Sequence, residues 1–378
     1  MSRGNLFAPE AYREQRKPLL EASSLPPPCY TCEDFYRREI ERIFERHWQF
    51  VGRAEQLASP GDYFCHDGPG GPVILIRGRD GRIHAYANSC RHRGARLLDG
   101  SGSCKRIVCP YHAWSYGLDG SLAGAPGMQS VRDFDTADFP LLELAVDSWD
   151  GFVFVHYQSE PGPLADHLGN LTQKFAAHRC AEMRLAGTLE FDIAANWKLL
   201  AENSLEAYHT GSVHRDTLGQ QASSRVDAQG NWTALLVEDE ASVATMPGDD
   251  KPFAHIEGLD DAGRAGAYFT MVYPSTQFVF AQDCMWWLAF EPRAVDHTRL
   301  SIGACFPDST IARADFEDRV AAYFNRWRVA TAEDNAICEA QQRGQAFERP
   351  PGRYAPDEFA VHAFDNWVLD RIVDRDSN

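Results

Sequence analysis

Residues 90–112 read CRHRGARLLDGSGSCKRIVCPYH. The stretch opens and closes on a short turn, and each turn holds one cysteine and one histidine. Cys90 and His92 stand in CRHRG and Cys109 and His112 in CPYH, with sixteen residues, 93–108, between the pairs. Gly94 and Pro110 punctuate the turns. Side chains two or three positions apart in a tight turn can reach one centre, so the four form one ligand set. Two thiolates and two imidazoles can hold a structural zinc. They can equally hold a [2Fe–2S] cluster, thiolates on one iron and imidazoles on the other. A third reading leaves them as buried thiols and surface histidines. Zinc fingers commonly keep Cys beside Cys and His beside His, whereas here each turn supplies one of each, which favours the cluster. Cys104 matches no ligand position and reads as a buried thiol.

The surroundings of this stretch are strand-like. VILIRGRDGRIHAYAN (73–88) is two short strands around Asp80-Gly81, a hairpin signal. WSYGLDGSLAG (114–124) repeats the pattern around Asp119-Gly120, and GFVFVHY (151–157) is a further strand. A small all-β domain over 49–162 follows. Ahead of it, residues 1–48 read as a polar, Pro-rich arm and then a helix, TCEDFYRREIERIFERHW (31–48), capped by Thr31. From 163 to 378 strands and helices mix without βαβ alternation, so the chain is α+β. TLEFDIAANWKLLAENSLEAYH (188–209) passes from strand to helix, and YFTMVYPSTQFVFAQDCMWWLAFEP (268–292) reads as consecutive strands. ADFEDRVAAYFNRWRVATAEDNAICEAQQRG (314–344) reads as a helix with Phe316, Val320, Tyr323, Phe324 and Trp327 on one face.

A second ligand-rich stretch, AENSLEAYHTGSVH, covers 201–214. His209 and His214 stand five apart, with Glu202 and Glu206 just upstream. Two histidines and a carboxylate on one face are the ligand set of many iron oxygenases. Glu206 and His209 are i, i+3 neighbours on a helix. Five residues at about 100° each would turn the two imidazoles apart, so the helix is expected to break between them, at Thr210-Gly211-Ser212.

The C-x-H-x16-C-x-x-H motif looks like the Rieske signature. Followed by NWKLLAENSLEAYHTGSVH and a later acidic helix, it resembles the large (alpha) subunit of the Rieske non-haem iron oxygenases over nearly the whole chain. The resemblance implies a Rieske domain and a helix-grip (START-like) catalytic domain, an antiparallel sheet with a long helix over a deep pocket. It assigns Cys90, His92, Cys109 and His112 to the [2Fe–2S] cluster. Mononuclear Fe(II) falls to His209, His214 and a distant carboxylate, Asp334, with Glu333 and Glu339 as competitors. Asn203 and Tyr208 match positions beside the iron. Glu206 corresponds to the residue that joins His209 to His112 of a neighbouring copy. Most family members have Asp there, and Glu resembles the oxygenases of carnitine-type quaternary amines. The expected activity is O2-dependent hydroxylation or oxidative demethylation of a small quaternary amine or betaine. Attack on an aromatic acid is the alternative within the class, and a Rieske electron carrier without oxygenase activity the alternative outside it. No dinucleotide or phosphate-binding loop is evident, so electrons would come from a separate NAD(P)H reductase, directly or through a ferredoxin. The short route between copies implies a homotrimer.

Bulk properties agree. The 378 residues suit two domains, and hydrophobic (44%) and charged (24%) fractions are those of a globular chain. A net charge of −17 disfavours nucleic acid and anionic membrane partners. Without an apolar leader or spanning run, a cytoplasmic location is expected. Disulfides are then unexpected among the ten cysteines, and the lone Cys29-x-x-Cys32 pair reads as chance. Of the adjacent Trp286 and Trp287, one should face the core and the other the opposite side of its strand.

Overall fold

In the computed structural model, which describes residues 6–239, 242–249 and 251–374, the chain divides into two units. One comprises Phe44–Leu164. The other comprises Met1–Ile43 with Ala165–Asn378. The first is built from a seven-stranded antiparallel sheet and a small three-stranded one, Ile107–Val108, Ser115–Tyr116 and Leu122–Gly124. The second ligand turn joins the first two strands of the small sheet and the first follows strand Ile83–Ala87 of the large one; a shared core holds Ile107, Trp114 and Tyr116 together with Cys90 and Cys109.

In the second unit three short helical turns, Pro9–Tyr12, Leu19–Glu21 and Pro28–Thr31, precede helix α1, Glu33–Arg42. The helix expected over 31–48 is shorter at both ends. Cys32 is extended (φ −91°, ψ 121°) and occupies the N-cap without a side-chain bond, while Thr31 closes the preceding turn on Pro27. Ile43 ends it, and Phe44–Arg46 form a separate 3-10 turn that belongs to the other unit. Glu39 of α1 is fully buried and pairs with the equally buried Lys198 at 2.6 Å, while Trp197 Nε1 donates to its other oxygen.

The rest of this unit is a seven-stranded antiparallel sheet in the order β1-β7-β6-β5-β4-β3-β2. Its strands are β1 Met183–Ile193, β2 Ser223–Val226, β3 Trp232–Glu238, β4 Gly266–Val272, β5 Thr276–Phe280, β6 Met285–Ala294 and β7 His297–Pro307. Between β1 and β2 lie α2, Trp197–Asn203, and the single turn α3, Thr210–Val213. After the sheet comes the 29-residue α4, Phe316–Gly344, and then α5, Phe359–Ile372. The long helix packs on the sheet through aromatics, Trp327 against Trp286 (5.4 Å between centroids) and Tyr323 against Phe306 (5.1 Å). This is the helix-grip arrangement of an α+β chain.

Register decides which side chains meet that helix. Leu235, Phe269, Val279 and Trp286 are successive cross-strand partners from β3 to β6 and share a face. Trp287 takes the other face, where its partner Gly303 has no side chain; a Cβ there would stand 1.9 Å from the indole. Among the described residues no helix is long and apolar enough to cross a membrane.

Candidate functional site

The two turns of the first unit are the same loop made twice. Cys90 N–H donates to Ala95 O and Cys109 N–H to Trp114 O, both at 2.8 Å. Gly94 N–H returns to Cys90 O and Ala113 N–H to Cys109 O. The fifth residue of each is left-handed, Gly94 at φ +72° and Ala113 at φ +57°. Both cysteines are buried, and Tyr116 Oη lies 3.3 Å from Cys90 Sγ while accepting Arg91 N–H. His92 and His112 bring their rings to 4.8 Å at the exposed edge. His92 stacks on Trp114 at 4.8 Å and 7°. Two sheltered sulfurs on one side and two adjacent imidazoles on the other suit a cluster whose two irons differ in ligands.

In the second unit α2 ends at Asn203 and Ser204 caps it, so Glu206 and His209 lie in a turn beyond the helix. The Glu206–His209 contact is therefore not a helical pair. Oε2 accepts His209 N–H (2.9 Å) and Oε1 faces Nδ1 (2.6 Å). The expected break at Gly211 is also displaced. Thr210–Val213 is itself helical, and the two histidines flank it, His209 at its N-cap and His214 at its C-cap. One turn between them, with the chain leaving helical geometry only at His214, lets the rings converge to 5.2 Å.

Helix α4 carries Asp334 to the same point. Donor atoms of His209, His214 and Asp334 lie within 4.8 Å of one another. Nε2 of His209 and of His214 stand 3.4 and 3.1 Å from Asp334 Oδ1, a buried oxygen that accepts no hydrogen bond. The competitors have other work. Glu333 Oε2 faces His214 Nδ1 at 2.7 Å and accepts the Thr217 hydroxyl at 2.8 Å. Glu339 accepts the Ala194 N–H. Each imidazole thus has a carboxylate on Nδ1 that retains a proton there, leaving Nε2 lone pairs aimed at a carboxylate oxygen. Three acceptors facing one point call for a cation.

Charge at this point is strongly biased. Burial disfavours an imidazolium at His209, yet Asp334 and Glu206 outweigh it and push the ring up to about 10. Burial likewise opposes the Asp334 carboxylate, and the two histidines hold it down to about 2. A dication satisfies the same potential in place of those protons.

A cavity opens from the three ligands, walled by Phe269, Trp286, Trp327 and Leu288 and reaching Arg326. Asn203 lines it. Tyr208 does not. The turn after α2 points it outward, 67% exposed, so it stands beside His209 in sequence and away from the cavity in space. Glu202 stands off the ligand point and accepts the Tyr30 hydroxyl at 2.8 Å. Cys29 is a buried free thiol 3.7 Å from the Tyr12 hydroxyl, and Cys32 is also free. Two roles escaped the sequence reading. Glu333 is the orienting partner of His214. Arg326, two helical repeats of four before Asp334, carried a signal in that i, i+8 spacing.

Comparison with known proteins agrees with this geometry. The family described as "Ring hydroxylating alpha subunit (catalytic domain)" matches residues 180–374, more than half the chain, and the Rieske [2Fe-2S] domain matches 47–135. The carnitine monooxygenase oxygenase subunit of Escherichia coli (strain K12) is 35% identical over 221 residues, 56% of this chain and 58% of that protein. The chain thus spans little more than half the length of that relative. The chloroplastic choline monooxygenase of Spinacia oleracea is 29% identical over 362 residues, 93% of this chain and 79% of that one. Among solved structures, the quaternary ammonium Rieske monooxygenase CntA with its substrate gamma-butyrobetaine superimposes with a TM-score of 0.77 at 27% identity. That match covers 93% of this chain and 95% of CntA. Paired Cys-His turns in one unit, a two-histidine, one-aspartate point in the other, and a family match over more than half its length place the chain in the ring-hydroxylating alpha-subunit family, whose members join a Rieske [2Fe–2S] cluster to mononuclear iron.

Proposed function

We propose that the chain is the terminal oxygenase of a multicomponent system that hydroxylates or oxidatively demethylates a quaternary amine. The observation that carries this is a three-ligand point at the head of an aromatic cavity. Cys90, His92, Cys109 and His112 would hold the cluster, and His209, His214 and Asp334 the mononuclear iron. Bound there, iron supplies O2 activation and oxygen insertion. In balance, substrate C–H, O2, two electrons and two protons become C–OH and water, and the electrons come from a separate NAD(P)H reductase. Glu206 and Glu333 keep protons on Nδ1 and so fix ring orientation. Phe269, Trp286 and Trp327 offer aromatic faces to a quaternary ammonium and exclude water from it.

The bridging role of Glu206 belongs to the same proposal. The carboxylate already grips His209, and His112 of a second copy, exposed in each chain, would complete the connection in a homotrimer. The relation of the chain to carnitine and choline monooxygenases supports the substrate class.

Purified protein, a cognate reductase and NADH should convert gamma-butyrobetaine, carnitine or choline to a product one oxygen heavier, or demethylated. Iron content should be about three per chain, and a Rieske electron carrier would hold about two. His209→Ala should drop the count by one and keep the Rieske EPR spectrum. Two irons in the wild type, or no product from any quaternary amine, defeats this reading.

A further inference from the structure

The far wall of the cavity holds a charge that no described residue pairs or hydrogen-bonds. Arg326 is 7% exposed and lines the cavity. Among the described residues it makes no hydrogen bond or ion pair, and its Nε is buried without a partner. Its guanidinium lies over the Trp286 ring, Cζ 5.7 Å from the centroid. Burial pulls the guanidinium down to about 10, opposed by the Asp334 charge, so it stays protonated at neutral pH. A buried unpaired charge costs several kcal/mol unless something else compensates it.

The opposite end of the cavity has the opposite sign. Glu206, Glu333 and Asp334 bring three carboxylates to the ligand point. A dication leaves that end net negative. Helix α4 sets the separation: Arg326 and Asp334 are eight residues apart on one face, about 12 Å between Cα atoms at 1.5 Å per residue. Ala330, halfway, has a small side chain and leaves the space between them open. The cavity is therefore dipolar along α4, with an aromatic wall between its ends.

We propose that Arg326 is the carboxylate anchor of the substrate and that the substrate is consequently a quaternary-ammonium acid of the betaine type rather than an amino alcohol such as choline. The carboxylate takes the two-pronged guanidinium, and the ammonium lies toward the aromatic wall and the negative end. An aromatic acid would use the arginine but leave the negative end unmatched. The inference rests on the proposed oxygenase reading only in taking this cavity as the substrate site.

Binding can be followed without turnover, by quenching of tryptophan fluorescence and by calorimetry on the metal-loaded protein. Gamma-butyrobetaine should bind about 10- to 100-fold more tightly than its methyl ester or choline, the range of a charge-assisted hydrogen bond. Arg326→Gln should weaken the acid to the level of the ester, and Arg326→Lys should restore part of the difference. Choline or the ester binding as well as the acid to the wild type overturns the proposal. So does Arg326→Gln weakening acid and ester alike. If Arg326→Gln does not fold, as judged by circular dichroism and the Rieske spectrum, the wild-type acid-versus-ester comparison decides alone. If no quaternary amine binds but benzoate-type acids do, and lose binding in Arg326→Gln, the anchor stands and the amine reading of the enzyme falls.

Discussion

At the scale of single residues, the site is organised by carboxylates that do not themselves occupy the ligand point. Glu206 and Glu333 differ from Asp334 in which imidazole nitrogen they meet. That difference separates orienting from ligating. Glu206→Gln preserves an acceptor for Nδ1–H and removes the charge. It should keep both metal centres, while reoxidation of the reduced cluster by O2 with substrate slows about 10- to 100-fold in stopped flow. Unchanged reoxidation would remove Glu206 from the electron route. A second buried acid predicts a pH dependence. Burial raises Asp365 from 3.8 to about 7, and Glu202 beside it is also raised by burial. The folded state then holds a proton that the unfolded chain releases near pH 4. Stability should fall by about 1 kcal/mol per pH unit as pH rises through that window, and level off above it. Asp365→Asn still accepts the Tyr354 hydroxyl and should flatten this slope, so the variant gains thermal stability at pH 8 relative to pH 5. Parallel melting profiles for the two proteins would contradict it.

At the scale of elements, two local geometries decide what the site can be. The first is the repeated ligand loop, closed by the same pair of backbone bonds around Cys90 and Cys109. Gly94 suits its left-handed position and Ala113 does not, so the second loop carries backbone strain that packing around Trp114 outweighs. The second is the β6–β7 ladder, where Trp287 lies over Gly303. Gly303→Ala would drive a methyl into the indole. A loss of about 1–3 kcal/mol of stability is expected in urea denaturation, with displacement of the neighbouring Trp286 wall and weaker substrate binding. Wild-type stability in that variant would mean that the strand pair shifts freely to make room.

At the scale of the whole molecule, the proposed electron route makes the assembly part of the active site. Each ligand turn carries an exposed histidine. A homotrimer of head-to-tail contacts would present that edge to Glu206 of a neighbour. Co-expressing His112→Ala with His209→Ala tests this. Either variant alone should be inactive, but mixed trimers restore a cluster beside an intact iron site at about a quarter of the junctions, for random assembly. Recovery of about a quarter of wild-type activity is expected. No recovery from trimers shown to be mixed would place the route within one chain.

Much of this was legible in one dimension because metal ligands leave local signatures. The Cys-His turns are short-range, and the mixing of one cysteine and one histidine in each favoured a cluster over common zinc sites. His209 and His214 were readable for the same reason, and the hairpin signals and helical stripes marked out an α+β chain. What failed failed where backbone direction matters. The helix through Glu206 stops at Asn203, so Tyr208 turns out to solvent and the histidines converge around Thr210–Val213 instead of across a break at Gly211. The resemblance pointed to Asp334, but the role of its neighbour Glu333 on His214 was out of reach, because one residue on a helix is a rotation of about 100° and only packing says what each face meets. Arg326 belongs to the same class. Composition makes it one of many surface-prone charges, and its meaning comes from the fold, which buries it without a partner among the described residues at the far end of a cavity whose near end is negative.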